Sequence, residues 1–231
     1  GMFQLGGHAL FLSDAATQVV RGEPVEDTAR VLSRYVDGIM IRTFEHESVK
    51  KLAQYASIPV INGLTDLLHP CQALTDIFTG FEYKGDLKGK KLTYIGDGSN
   101  NMANSLMFAG AKVGMDVTIG CPRDYQPNQE IFNLACQDAE QTGAKISIVQ
   151  DPMKACENAD ILYTDVWTSM GAVKSKMTLF MGYQISSTSL KYAKPDAIVL
   201  HCLPAHRGEE ITGEVMEGKQ SAIFDQAENR L

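Results

Sequence analysis

Leu92-Thr93-Tyr94-Ile95-Gly96-Asp97-Gly98-Ser99-Asn100-Asn101 is the stretch whose reading decides the fold. A short run of strand character enters a glycine turn, and the helical pattern Asn101 to Val113 follows. A second apolar run, Asp116 to Gly120, comes next. Strand, tight turn, helix and strand within about 30 residues make a βαβ unit, whose two strands lie parallel. The turn imitates a dinucleotide-binding fingerprint, but Asn101 stands at its third glycine position. The second strand ends in Gly120-Cys121-Pro122, without the acidic residue that would hold a ribose hydroxyl. A nicotinamide cofactor is therefore disfavoured. Asn101 at a strand's carboxyl end is instead a candidate for the carboxylate of an amino acid, and a tight turn with a capping asparagine fits the spacing equally well.

The same alternation extends in both directions. Further strands are expected at His8 to Leu12, Gly38 to Ile41, Pro59 to Asn62, Lys145 to Val149, Ile161 to Thr164 and Ala197 to Leu200. Helices are expected at Val25 to Tyr35, Ser48 to Ala56, His69 to Tyr83, Asn128 to Thr142 and Asp151 to Glu157. Lys84-Gly85-Asp86-Leu87-Lys88-Gly89-Lys90 reads as a joint between two domains. The fold class is α/β, with two domains that each hold a parallel sheet flanked by helices. The expected divisions are 1–68, an interdomain helix over 69–83, and 84–231. The first domain is thin, because three strands and two helices form a marginal core, and it reads as incomplete.

Composition removes whole classes of partner. A net charge of −7 and a pI near 5.2 argue against nucleic acid or an anionic membrane surface. No apolar run approaches the ~20 residues that a membrane helix needs. The five cysteines are odd in number and form no CxxC pair, which suits a reducing compartment and disfavours a disulfide framework or a structural zinc.

Chemistry-bearing residues gather at the ends of predicted strands. His201-Cys202-Leu203-Pro204-Ala205-His206-Arg207-Gly208 follows the run Ala197 to Leu200. A thiol, two imidazoles and a guanidinium thus sit where α/β proteins place their sites. Pro204 stops the strand so that Cys202 and the Leu203 carbonyl can face a crevice. The plain alternative is a strand-to-loop junction with a buried cysteine. The spacing of His201, Cys202 and His206 matches no usual zinc pattern, so no metal is assigned.

Asp165 follows the strand Ile161 to Thr164 and suits an ammonium group, or simply a helix cap. Ser169-Met170-Gly171 can form a mobile flap, whereas Trp167 is expected to pack. At His69-Pro70-Cys71-Gln72, proline at the first helical position makes His69 the cap and puts Gln72 on the same side of the first turn. That arrangement suits a carbonyl oxygen or a phosphate, though a capping histidine with a solvated glutamine has the same pattern. Arg42 and Arg230 are each unremarkable alone; together with His69 they make a cationic site for a phosphate.

Taken together, HPCQALTD, GDGSNNMANS, DVWTSMG, HCLPAHRGEE and AENR closely resemble the ornithine carbamoyltransferases, in that family's order and across the whole chain. The resemblance implies transfer of a carbamoyl group from carbamoyl phosphate to the δ-amine of L-ornithine, giving L-citrulline and phosphate in arginine metabolism. It implies no metal and no organic cofactor. Arg42, His69, Gln72 and Arg230 match the family's carbamoyl phosphate ligands; Asn101, Asp165, Ser169 and Met170 match its ornithine ligands. Cys202 and Leu203 match the pair that addresses the δ-nitrogen. Of these, Cys202, Asp165, His69 and Arg42 are the expected catalytic residues. Gln18 resembles the residue that reaches a neighbouring subunit's site in the family's trimer, so a homotrimer or a multiple of trimers, with sites at subunit interfaces, is expected. A cytoplasmic setting follows, with an organelle-targeting segment left open.

The chain departs from the family in lacking its Ser-x-Arg-Thr-Arg phosphate motif, expected upstream of Gly1, and its closing helix, expected beyond Leu231. Two expectations stand side by side. The sequence is a piece of a complete carbamoyltransferase, or it is a truncated, inactive ornithine-binding or subunit-interaction form. In either case these 231 residues alone are expected to turn over poorly.

Overall fold

The computed structural model describes residues 1–13, 22–167 and 177–231, which form two units, Gly1–Leu67 with Leu231 and Leu68–Arg230. Of the expected site residues, Gln18, Ser169 and Met170 lie outside the described residues, as does the rest of the flap at Gly171.

The first unit holds two parallel strands, β1 (Ile39–Arg42) and β2 (Val60–Leu64), with helices α1 (Val25–Leu32) and α2 (His46–Tyr55). Among the described residues, Ala29, Val49 and Leu52 are its buried apolar side chains. The strand expected at His8 to Leu12 is not formed. Those residues have no regular structure, and Phe11 is 92% exposed. The run is apolar enough for a strand, but none of the described residues offers it a ladder, and an unpaired strand has no hydrogen-bonded partner to hold it.

The second unit carries a five-stranded sheet ordered β5-β4-β3-β6-β7, every adjacent pair parallel. The strands are β3 (Lys91–Ile95), β4 (Asp116–Gly120), β5 (Ile146–Val149), β6 (Ile161–Thr164) and β7 (Ile198–His201). The chain runs outward from β3 to β5, then returns to β3's other side with β6. That reversal makes a topological switch point between β3 and β6. In β3, β4, β6 and β7 residues on both faces are buried, which is why these strands read as continuous apolar runs, whereas the edge strand β5 is half-buried throughout.

Helices α3 (Pro70–Lys84), α4 (Asn101–Val113), α5 (Gln129–Glu140) and α6 (Pro152–Cys156) match sequence expectations to within a few residues. Their caps are local chemistry. Asn100, Asn128 and Asp151 each accept backbone N–H groups at the starts of α4, α5 and α6. Four short helices were not anticipated: α7 (Met177–Phe180), α8 (Ser187–Leu190), α9 (Gly213–Met216) and α10 (Ile223–Glu228). At four to six residues, they show less than two turns of periodicity.

Two apolar clusters clothe the sheet. One is built around Tyr94, Leu106, Met107, Val117 and Tyr163, the other around Leu162, Trp167, Phe180 and Val199. Trp167 packs as expected, stacked on Phe180 with ring centroids 5.8 Å apart. Helix α4 lies so close on β4 that a Cβ at Gly110 would sit 2.2 Å from the Val117 Cγ2. Gly110→Ala should therefore destabilise the fold by about 1–3 kcal/mol in urea unfolding, the range for an overpacked core. Adding Val117→Ala should recover part of the loss relative to Val117→Ala alone. Equal losses in the two backgrounds would show that this contact does not set the cost.

Candidate functional site

The site is built where strands end beside the switch point. After β3 the chain turns through Gly96, at a φ of 141° that a side chain would resist. Asp97 then accepts the backbone N–H and hydroxyl of Ser99 at 2.9 and 2.6 Å, delivering Asn100 to the start of α4. In the adjoining pair, Thr164 of β6 is in register with His201 of β7. The next residues, Asp165 and Cys202, consequently leave neighbouring strands side by side. The Cys202 thiol donates to Asp165 Oδ1 at 3.0 Å.

Asp165 has further partners. The Val166 N–H donates to Oδ1 at 2.7 Å, and Asn100 Nδ2 reaches Oδ2 at 3.4 Å. Asn100 also donates to the Tyr94 hydroxyl at 2.7 Å while its oxygen accepts the Ala103 N–H. Asn101 opens α4, half-buried, one residue beyond the asparagine that meets Asp165.

Burial raises the Asp165 carboxyl above the usual carboxylate range, opposed first by the bond from Cys202. Burial, and then the charge on Asp165, push the Cys202 thiol well above its ordinary value. The thiol is therefore a protonated hydrogen-bond donor at neutral pH. Burial and the hydrogen bond it donates both disfavour a resting thiolate nucleophile.

His201 lies directly behind this pair. Its Nδ1 accepts the Leu203 N–H at 2.8 Å, so the ring proton resides on Nε2 and is donated to Glu210 Oε1 at 3.1 Å. Glu210 is fully buried and also accepts the His206 N–H at 2.5 Å. Leu203 is held in the left-handed region at φ 56°, costing about 1–2 kcal/mol for such a residue, and is followed by a cis bond to Pro204.

Helix α3 and the end of the chain complete the surroundings. His69 precedes Pro70, and its N–H donates to Ser105 Oγ at 2.7 Å, tying the start of α3 to α4. Gln72 is buried in the first turn and donates from Nε2 to Asp76 Oδ1 at 2.8 Å. The same oxygen accepts Gln226 Nε2 from α10 at 2.6 Å, while Gln226 Oε1 accepts the His201 N–H at 2.8 Å. Burial pushes Asp76 up to about 7, against bonds from Gln72, Gln226 and Tyr163. Arg230, just beyond α10, reaches the Cys202 carbonyl at 3.3 Å.

The second unit thus gathers Asp165, Cys202, Leu203, Arg230 and the Asn100-Asn101 turn, with Gln72 joined through Asp76 and Gln226. Arg42 ends β1 in the other unit, where it is exposed. Sequence reasoning missed Asn100, Asp76, Gln226, Tyr163 and Glu210. Only Asp76 had a local signal, standing four residues after Gln72 on one helical face.

The ligand atoms of Asp165, His201 and Cys202 lie within 4.8 Å of one another, as do those of His206, Glu209 and Glu210. In the first group both imidazole nitrogens and the thiol are already engaged, so an incoming soft cation would have to break the network just described.

Comparison with known proteins places the chain among its relatives. Residues 88–231 match the family model described as "Aspartate/ornithine carbamoyltransferase, Asp/Orn binding domain". Residues 1–82 match "Aspartate/ornithine carbamoyltransferase, carbamoyl-P binding domain". An ornithine carbamoyltransferase of Halalkalibacterium halodurans is 58% identical over 234 aligned residues, covering 100% of this chain and 73% of that protein. One from Methanosphaera stadtmanae is 55% identical, with 100% and 77% covered. The solved ornithine carbamoyltransferase of Pyrococcus furiosus superposes with a TM-score of 0.96 at 50% identity, covering 100% of this chain and 74% of that one. With both halves matched and relatives more than half identical along its whole length, the chain belongs to the aspartate/ornithine carbamoyltransferase family.

Proposed function

We propose that the chain transfers the carbamoyl group of carbamoyl phosphate to the δ-amine of L-ornithine, releasing L-citrulline and phosphate. The observation that carries this reading is the Cys202–Asp165 hydrogen bond at the end of β6 and β7, beside the switch point where α/β sheets bind ligands.

A primary amine such as ornithine's has an ordinary pKa near 10, like lysine, and arrives protonated. Its attack on the carbamoyl carbon forms a C–N bond and breaks the C–O bond to phosphate, and the nitrogen must shed protons. A protonated thiol cannot accept one directly. Cys202 can pass its own proton to Asp165 while Sγ receives one of the amine's, and the raised affinity of Asp165 for a proton favours that direction. The second proton is taken up by the departing phosphate as its C–O bond breaks. The Leu203 carbonyl orients the nitrogen in this scheme, and Asn101 and Asp165 hold the amino acid's polar groups. His69, at the start of α3, polarises the carbamoyl oxygen, with Gln72 beside it on the first turn. Arg230 faces the departing phosphate. The parts given to Arg42, Gln18, Ser169 and Met170 rest on sequence resemblance.

The same reading takes the protein to be a trimer, or a multiple of trimers, working in arginine metabolism in the cytoplasm. Among the described residues, no helix is long and apolar enough to cross a membrane.

Citrulline formation from carbamoyl phosphate and ornithine is the direct assay. Cys202→Ala should lower kcat by about 100-fold or more, the usual range for losing a proton-transfer group, with the carbamoyl phosphate Kd changed less than about threefold. Comparable losses in both would contradict the amine-side assignment. Thiol reactivity provides a separate check. Because the thiol's pKa is raised, the thiolate appears only at pH well above the ordinary range. Cys202 should therefore resist iodoacetamide between pH 7 and 9 while exposed Cys71 is alkylated. Labelling of Cys202 at the rate of Cys71, mapped by peptide mass spectrometry, would contradict a protonated donor.

A further inference from the structure

The amide of Gln72 has only one orientation open to it, and a chain of bonds imposes it. The His201 N–H can only donate, so Gln226 must present Oε1 to it, at 2.8 Å. That commits Gln226 Nε2 to Asp76 Oδ1, at 2.6 Å, and makes this carboxylate oxygen an acceptor. Gln72 meets the same oxygen at 2.8 Å and must donate to it as well. Its own Oε1 is then left as a buried acceptor with no donor among the described residues. Asp76 is 1% exposed and takes no direct part in the proposed proton transfer.

We propose that Asp76 is a positioning residue for donor selection: it holds Gln72 with the amide oxygen uncommitted, so that the site favours a donor carrying an –NH2 group over one carrying a methyl group in the same place. The inference rests on the carbamoyl-transfer reading and narrows it. Carbamoyl phosphate can supply the missing N–H, whereas acetyl phosphate, nearly the same shape, leaves a buried acceptor unpaired. Sites built around such an acceptor discriminate strongly against the analogue that lacks the donor. A freely rotating Gln72 would lose the distinction, because its NH2 end could face the donor as readily as its oxygen.

The test is the ratio of kcat/KM for carbamoyl phosphate to that for acetyl phosphate, with ornithine as acceptor. Asp76→Leu should lower the ratio about tenfold or more, through the carbamoyl phosphate KM, leaving the ornithine KM within about twofold. Asp76→Asn retains an acceptor oxygen at the same position and should keep the ratio within about threefold of wild type. An Asp76→Leu protein with an unchanged ratio would overturn the proposal. Where Asp76→Leu does not fold, side-chain amide NMR on the wild-type chain decides: slowly exchanging Gln72 Nε2 protons support the proposal, and freely exchanging ones overturn it. Wild-type protein spanning the full length of its relatives that forms no citrulline would reject the carbamoyl-transfer reading itself, and this inference with it. Normal citrulline formation with an unmoved ratio rejects the Asp76 assignment alone.

Discussion

The pairing of Thr164 with His201, the last rung between β6 and β7, is the constraint on which the site depends. In parallel strands, residues one step beyond a matched pair emerge together. Here those residues are Asp165 and Cys202. A slip of one residue would turn each side chain to the opposite face and separate thiol from carboxylate. The register is itself held by burial on both faces and by Asp160 at the other end of the sheet. That carboxylate accepts the Lys91 N–H and pairs with Lys194.

Around this rung the protein concentrates polar groups that a core would ordinarily exclude. Asp76, Gln72, Gln226, His201 and Glu210 are all buried, and their side-chain hydrogen bonds run chiefly among themselves, with Gln72 Oε1 left over. Burying such groups is unfavourable unless every partner is in place, so the network couples α3, β7 and α10 more strictly than apolar contacts would. The raised protonation equilibria of Asp76 and Asp165 record the same cost in another form. The left-handed backbone at Leu203 belongs with them, its N–H anchored on the His201 ring.

Much of this was legible in the residues. Doubly buried strands such as Leu92 to Ile95 and Ile161 to Thr164 announce themselves as apolar runs, and Asn128 and Asp151 mark helix starts through local hydrogen bonding. Asp165 and Cys202 were visible because polar residues at strand ends stand out against those runs. What could not be read was long-range. Nothing local links Gln226 to Asp76, 150 residues apart, or tells which of two adjacent asparagines will meet Asp165. The His8 to Leu12 run failed for the converse reason, since apolar character alone does not supply a neighbouring strand.

The placement of β6 beside β3 also has a bearing on how the molecule comes into being. The bonds that join them, such as Thr164 Oγ1 to the Ile95 carbonyl, close a loop of 69 residues, and the β4–β5 excursion lies wholly inside it. Closing a loop of that size loses chain entropy before any contact repays it, so parallel pairings of this kind form slowly. The outer strands β4 and β5 can assemble on β3 from sequential βαβ units alone. The edge that bears Asp165 and Cys202 joins this sheet only through the longer β3–β6 crossover. Loop-closure entropy alone therefore sets the joining of the site-bearing edge to β3 after the β3–β4–β5 sheet in the expected order of assembly.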